Sequence, residues 1–279
     1  MSLHIGSHVS IRGGYLEAAK TAERMGGRSF QYFPKNPRSL AVKSFDRRDA
    51  EACAAYCRDN RLLSIAHAPY PTNLATDDGE KRETVIRSIL NDLAIADACG
   101  SVGLIVHFGV YKGPDPLQGY IRIVNTLNVV LHQWDGNAMI LIENQSGEHA
   151  RMGMTLEELT QIRSLTAAPE RIGFCLDSCH MLASGLWDGH NWQEVVDKGH
   201  QLGYWPQLKA VHLNDSVYPT RSFKDRHANI GQGEIGRAGL LELLHTPMLQ
   251  GIPIVLETPT PEPGTHEQEI RLLQQWMSE

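Results

Sequence analysis

Cysteine is scarce in this chain of 279 residues: the five are Cys53, Cys57, Cys99, Cys175 and Cys179. The count is odd and no CxxC pair occurs, which argues against a disulfide framework and against a zinc site built from four thiolates. The first residues, Met1-Ser2-Leu3-His4, lack the charged and apolar regions of a secretion signal, so reduced thiols and a cytoplasmic location are expected. Long hydrophobic runs are also missing. The most apolar stretch, residues 101–110, is interrupted by His107 and falls far short of the roughly 20 residues a bilayer span needs, so no membrane association is expected. Positive charge is in deficit, with 26 Lys and Arg against 32 Asp and Glu and a net charge of −6. Taken alone, that argues against nucleic-acid binding through a cationic patch. The argument fails if the chain binds several divalent cations. No Pro- or Ser-rich linker and no low-complexity tract divides the sequence, so residues 1–279 read as one domain, with the Pro-dense segment 259–263 as a loop.

Hydrophobic residues make up 42% and charged residues 21%, an ordinary globular balance. A chain of this length buries roughly 75% of its unfolded surface, so a metal would serve function before stability. Short apolar, β-branched runs at 4–9, 29–33, 63–66, 102–106, 139–142, 172–176, 208–211 and 254–256 read as strands. Between and after them, apolar residues recur at three- and four-residue spacing over 15–25, 48–60, 81–99, 117–134, 156–164, 192–202, 238–244 and 266–277. Eight strand–helix units imply a (β/α)8 barrel, an α/β fold with its chemistry at the C-terminal ends of the strands. A doubly wound open sheet is the competitor, but Ser10-Ile11-Arg12-Gly13-Gly14 after the first strand is not its GxGxxG turn.

The chain carries 13 histidines. Any single one is more often an ordinary core or surface residue than a ligand, but their placement is not random. The third to eighth strands end at His67, His107, Glu143, Asp177, His212 and Glu257, with His180 one helical turn beyond Asp177 and Asp225-Arg226-His227 in the seventh loop. Converging carboxylates repel one another unless cations neutralise them. Five histidines and four carboxylates, without a thiolate, suit Zn²⁺ or Mn²⁺, and nine ligands suit three ions with one carboxylate bridging. Asn144 and the pair Asn214-Asp215 adjoin these residues and read as groups that orient ligands. Cys175 and Cys179, beside Asp177, read as small residues packing a strand end.

These segments resemble the endonuclease IV family of apurinic/apyrimidinic endonucleases. The resemblance is carried from first strand to last by Ile5-Gly6-Ser7-His8-Val9-Ser10, Phe33-Pro34-Lys35-Asn36, His67-Ala68-Pro69-Tyr70, Leu141-Ile142-Glu143-Asn144, Cys175-Leu176-Asp177-Ser178-Cys179-His180, His212-Leu213-Asn214-Asp215, Asp225-Arg226-His227 and Leu256-Glu257-Thr258. It implies three zinc ions per chain, with manganese an alternative at one site. The first would be held by His67, His107 and Glu143, the second by Glu143, Asp177, His212 and Glu257, and the third by His180, Asp225 and His227. Glu143 and Glu257 would be the catalytic carboxylates, and a hydroxide between the first two ions the nucleophile. In-line attack on the phosphorus 5′ to an abasic sugar in duplex DNA would leave a 3′-hydroxyl and a 5′-deoxyribose phosphate. Three Zn²⁺ would offset the net charge of −6 and concentrate positive charge where the phosphodiester sits.

The resemblance further implies DNA contacts from Lys35, Asn36 and Arg38, with Tyr70 packing into the distorted duplex. Pro71 stands where comparable members usually have an aliphatic residue, and Pro37 interrupts the other loop. A monomer acting on double-stranded DNA is expected. Two rival readings remain: a sugar isomerase or epimerase on the same barrel, which generally needs one or two ions, and a non-catalytic binder of damaged DNA that keeps zinc for structure.

Overall fold

The computed structural model describes residues 3–76, 79–260 and 266–279. The strands are β1 (His4–His8), β2 (Ser29–Tyr32), β3 (Leu63–His67), β4 (Gly103–Val106), β5 (Met139–Glu143), β6 (Ile172–Asp177), β7 (Leu208–His212), β8 (Asp215–Ser216), β9 (His227–Ala228) and β10 (Pro253–Leu256). Strands β1 to β7 and β10 form a closed, all-parallel barrel in chain order, while β8 and β9 pair as a separate antiparallel hairpin. Closure is made by β1, which pairs with β10 from His4↔Pro253 to Ser7↔Leu256 and with β2 from Gly6↔Ser29 to His8↔Gln31. A Cβ on Gly6 would sit 1.6 Å from the Ser29 carbonyl oxygen, so only glycine lets β1 and β2 approach this closely.

The helices are α1 (Tyr15–Arg24), α2 (Arg47–Asn60), α3 (Glu80–Ala98), α4 (Pro116–Gln133), α5 (Leu156–Leu165), α6 (Ser178–Ser184), α7 (Trp192–Gln201), α8 (Gly236–Leu244) and α9 (Glu267–Trp276). Local chemistry starts several of them. Asp46 accepts from the N–H groups of Arg48 and Asp49 at the head of α2, and Thr155 with Glu158 forms a capping box on α5. All eight expected strands and eight expected helices are present; α6 and the hairpin are additions. Pro259 and Thr260 lie outside regular structure, as expected of a loop, whereas the rest of the 259–263 loop falls outside the described residues, as do Met1 and Ser2. Among the described residues, no helix is long and apolar enough to cross a membrane.

The core has two layers. A large cluster fills the space between sheet and helices. A smaller one fills the barrel interior with Ile65, Ile105, Leu141, Cys175, Ala210 and Val255, each fully buried. Side chains two positions apart on a strand share a face. His67, His107, Glu143, Asp177, His212 and Glu257 each follow one of these interior residues by two. The apolar stack therefore forms the floor on which the polar strand ends stand.

Candidate metal centre

Glu143 sits at the middle of the cluster, buried, with its two oxygens facing different imidazoles. Its Oε2 lies 3.0 Å from His107 Nε2 and 3.8 Å from His67 Nε2. Its Oε1 lies 3.0 Å from His212 Nδ1 and 3.4 Å from His180 Nδ1. His212 Nδ1 is ringed by further carboxylates, with Glu257 Oε2 at 3.2 Å and Asp177 Oδ2 at 3.8 Å. At the outer edge, Asp225 reaches His180 Nε2 at 3.1 Å and His227 Nε2 at 3.2 Å. All nine residues expected as ligands converge here. Two of the groups whose ligand atoms lie within 4.8 Å of one another are His67, His107, Glu143 and His180, Asp225, His227, the first and third expected triads.

The donor set fits divalent cations. In four of the five histidines one ring nitrogen is held by a carbonyl: His67 Nδ1 by Ala68 O at 2.7 Å, His180 Nδ1 by Asn144 O at 2.9 Å, His227 Nδ1 by Glu257 O at 3.2 Å, and His212 Nε2 by Gln31 Oε1 at 2.7 Å. Each such bond keeps a proton on that nitrogen, which directs the bare one toward the carboxylates, the arrangement that metal-binding imidazoles use. Glu143 Oε2 is buried with only the His107 and His67 imidazoles near it and no well-aligned hydrogen bond, a lone pair that a cation would satisfy. The imidazoles and carboxylates also offset one another's charge. Burial opposes ionisation of Glu143, but the imidazoles of His212 and His107 outweigh it and pull its carboxyl well below the usual range. Burial likewise opposes charge on His227, yet Asp225 and Asp177 raise it to about 9.

The neighbouring polar residues divide by role. Asn144 spans to β6, donating to Asp177 O at 3.0 Å and accepting from Asp177 N at 2.8 Å. Asn214 donates to Asp177 Oδ2 at 2.7 Å and accepts from Glu257 N at 2.9 Å, so it orients two expected ligands. Asp215 departs from expectation: its carboxylate takes backbone N–H groups of Gly231, Gly233 and Ile235 and braces that loop instead of a ligand. Cys175 and Cys179 are buried, and burial pushes both thiols up to about 12, so they pack as neutral side chains.

Three residues escaped the sequence reading. The first two barrel strands also send polar side chains into the site, His8 from β1 and Gln31 from β2. Burial lowers His8 to about 4 and leaves it a neutral imidazole. Glu148 holds the seventh loop by accepting from Asp225 N at 2.9 Å. The position of His8 at the end of its strand was the available signal, and Gln31 has none beyond its phase. Glu148 offered none.

The expected DNA face is partly corrected. Asn36 and Arg38 are exposed, tied in one turn by the bond from Arg38 N to Asn36 Oδ1 at 3.0 Å. Tyr70 is 69% exposed, and its N–H donates to Pro37 O at 2.8 Å, which binds the two loops together. Its ring meets Phe33 at 5.1 Å, and Phe33 meets His67 at 5.3 Å, so Tyr70 stands one ring away from an expected ligand. Pro71 is exposed beside it. Lys35, expected on the surface, instead turns inward: its Nζ lies 2.9 Å from Asp92 Oδ1 and donates to Ser88 O and Oγ. A buried ammonium takes the partners the core offers, and here α3 supplies all three.

Comparison with known proteins is consistent with this geometry. The family model described as a xylose isomerase-like TIM barrel matches residues 19–278. A protein of Symbiobacterium thermophilum named "Probable endonuclease 4" is 41% identical over 268 residues, 96% of this chain and 97% of its own length. One of the same name from Alkaliphilus oremlandii is 34% identical, covering 98% of this chain and 97% of its own. The crystal structure of endonuclease IV from Thermus thermophilus superposes with a TM-score of 0.85 at 29% identity, covering 99% of both chains. With an all-parallel eight-stranded barrel whose strand ends converge as described, the chain belongs to the endonuclease IV family.

Proposed function

We propose that the chain is a zinc-dependent DNA-repair endonuclease that hydrolyses the phosphodiester 5′ to an abasic nucleotide in duplex DNA, leaving a 3′-hydroxyl and a 5′-deoxyribose phosphate. The observation that carries the reading is the convergence of nine nitrogen and oxygen ligands on the barrel mouth of an endonuclease IV family member. His67, His107 and Glu143 would hold one ion, Glu143, Asp177, His212 and Glu257 a second, and His180, Asp225 and His227 a third. Imidazole and carboxylate donors suit zinc, with manganese acceptable at one position. When bound, such ions lower the pKa of coordinated water from 15.7 to about 7 and neutralise charge on a phosphodiester. The chain's own part is to aim the bare nitrogens, to span two ion positions with Glu143, and to present Glu257 opposite His212. All nine side chains come from one chain, which supports action as a monomer.

Incision of an oligonucleotide with a single abasic site, with and without chelator and alongside elemental analysis, tests the reading. Close to three transition-metal ions per chain are expected, with 5′ incision that chelation abolishes and zinc restores. Full incision with one ion would overturn the three-ion site, whereas one or two tightly bound ions with no incision and no binding of abasic duplex would favour the isomerase chemistry of similar barrels. Binding of abasic duplex with no incision at any metal loading would leave a damage binder instead.

Asn36, Arg38, Tyr70 and Pro71 would form the DNA face. An abasic nucleotide has no base to unstack, and an aromatic side chain can fill the gap. Tyr70→Ala is expected to weaken binding of abasic duplex by roughly 1–3 kcal/mol, the range for loss of one stacking contact. Undamaged duplex, held through phosphate contacts, should lose much less. Parallel titrations at one salt concentration check this, and equal losses on both duplexes would reduce Tyr70 to loop packing.

A further inference from the structure

Strand β2 supplies none of the proposed ligands, yet its Gln31 is fully buried inside the ligand cluster. Its amide makes three contacts. Oε1 lies 2.7 Å from His212 Nε2, and Nε2 lies 2.5 Å from Glu257 Oε1 and 3.3 Å from His8 Nδ1. The polarity of this network follows from chemistry. An ionised carboxylate only accepts hydrogen bonds, so the NH₂ end of the amide must face Glu257. The carbonyl end then faces His212, which must therefore carry its proton on Nε2. That leaves Nδ1 as the nitrogen able to offer a lone pair to an ion, and Nδ1 is the nitrogen that looks at Glu143, Glu257 and Asp177. Likewise, Glu257 gives Oε1 to the amide and keeps Oε2 toward the site. His67, His180 and His227 are set by backbone carbonyls. His212 is set by a side chain, and so by a residue that substitution can remove.

We propose that Gln31 is the positioning residue of the second ion site, setting the His212 tautomer and the Glu257 carboxylate through one amide. This rests on the three-ion reading above. Gln31→Met keeps the bulk and removes both hydrogen bonds. Gln31→Glu keeps the acceptor for His212 but sets a carboxylate against Glu257. Groups that orient metal ligands typically contribute 10- to 100-fold in metal affinity. Each variant, with folding checked by circular dichroism and thermal melting, is titrated with a chromophoric zinc chelator. Its Co²⁺-loaded form is compared with wild type by visible absorption. Expected are loss of about one ion at chelator concentrations where wild type keeps all, an altered Co²⁺ spectrum, and a lower kcat for incision with little change in KM. Wild-type zinc affinity and spectrum in either folded variant would overturn the proposal. A wild-type chain that itself binds fewer than three ions would instead defeat the underlying reading. Should Gln31→Met fail to fold, Gln31→Glu carries the test.

Discussion

Replacing Glu143 by glutamine is expected to cut incision of abasic duplex by on the order of 10³-fold or more, about 4 kcal/mol of transition-state stabilisation. The expectation follows from where its oxygens point. Oε2 serves the side of His107 and His67, and Oε1 the side of His212 and His180, so one carboxylate joins two halves of the site. Glutamine preserves size but turns one oxygen into an NH₂, which donates hydrogen bonds where a ligand must offer a lone pair. It also removes a negative charge from a site crowded with imidazoles. A single histidine such as His107 faces one side only, so its loss should be milder. Steady-state incision by Glu143→Gln, with metal content and melting temperature measured on the same preparation, checks the point. Near-normal turnover with intact metal content would remove Glu143 from the mechanism.

The barrel was readable because parallel strands buried on both faces leave short β-branched runs, told from helices by their length and by the longer amphipathic segments that alternate with them. The ligands were readable for a related reason. Their interior position repeats with period two, so Ile65 and His67, or Leu141 and Glu143, mark the end of a strand and its inward face together. Gln31 obeys the same phase, but Phe30 and Tyr32 on either side are buried as well, and nothing in Ser29-Phe30-Gln31-Tyr32 marks which residue enters the site. Helix α6 is seven residues long and each hairpin strand two, too short to show a period. Lys35 was misplaced for a different reason. A lysine between two prolines looks like solvated charge, and its partner Asp92 lies far along the chain, on α3. Only the docking of α3 beneath the loop after β2 brings the pair together.

That pair gives the second large expected effect. Asp92 is fully buried and faces Lys35 Nζ at 2.9 Å, while Ser88 O and Oγ take the remaining ammonium protons at 3.0 and 2.9 Å. Burial pushes the Asp92 carboxyl up to about 7 despite the lysine, so a measurement at pH 8 is made with the carboxylate ionised. Asp92→Ala then strands an ammonium in the core, which typically costs about 3–5 kcal/mol. Replacing both partners with apolar residues, Lys35→Met with Asp92→Leu, should recover most of that loss, because a buried pair contributes little net stability over a packed apolar one. Urea denaturation of the two single variants and the double variant at pH 8 gives the cycle. A loss under about 1 kcal/mol in Asp92→Ala would mean the pair behaves as an exposed one. The consequence for function lies in the loop above. Lys35 adjoins Asn36 and Pro37, and Pro37 O holds the N–H of Tyr70. Freeing Lys35 should therefore loosen Asn36, Arg38 and Tyr70 together, so Asp92→Ala is expected to weaken binding of abasic duplex while leaving metal content at the barrel mouth unchanged.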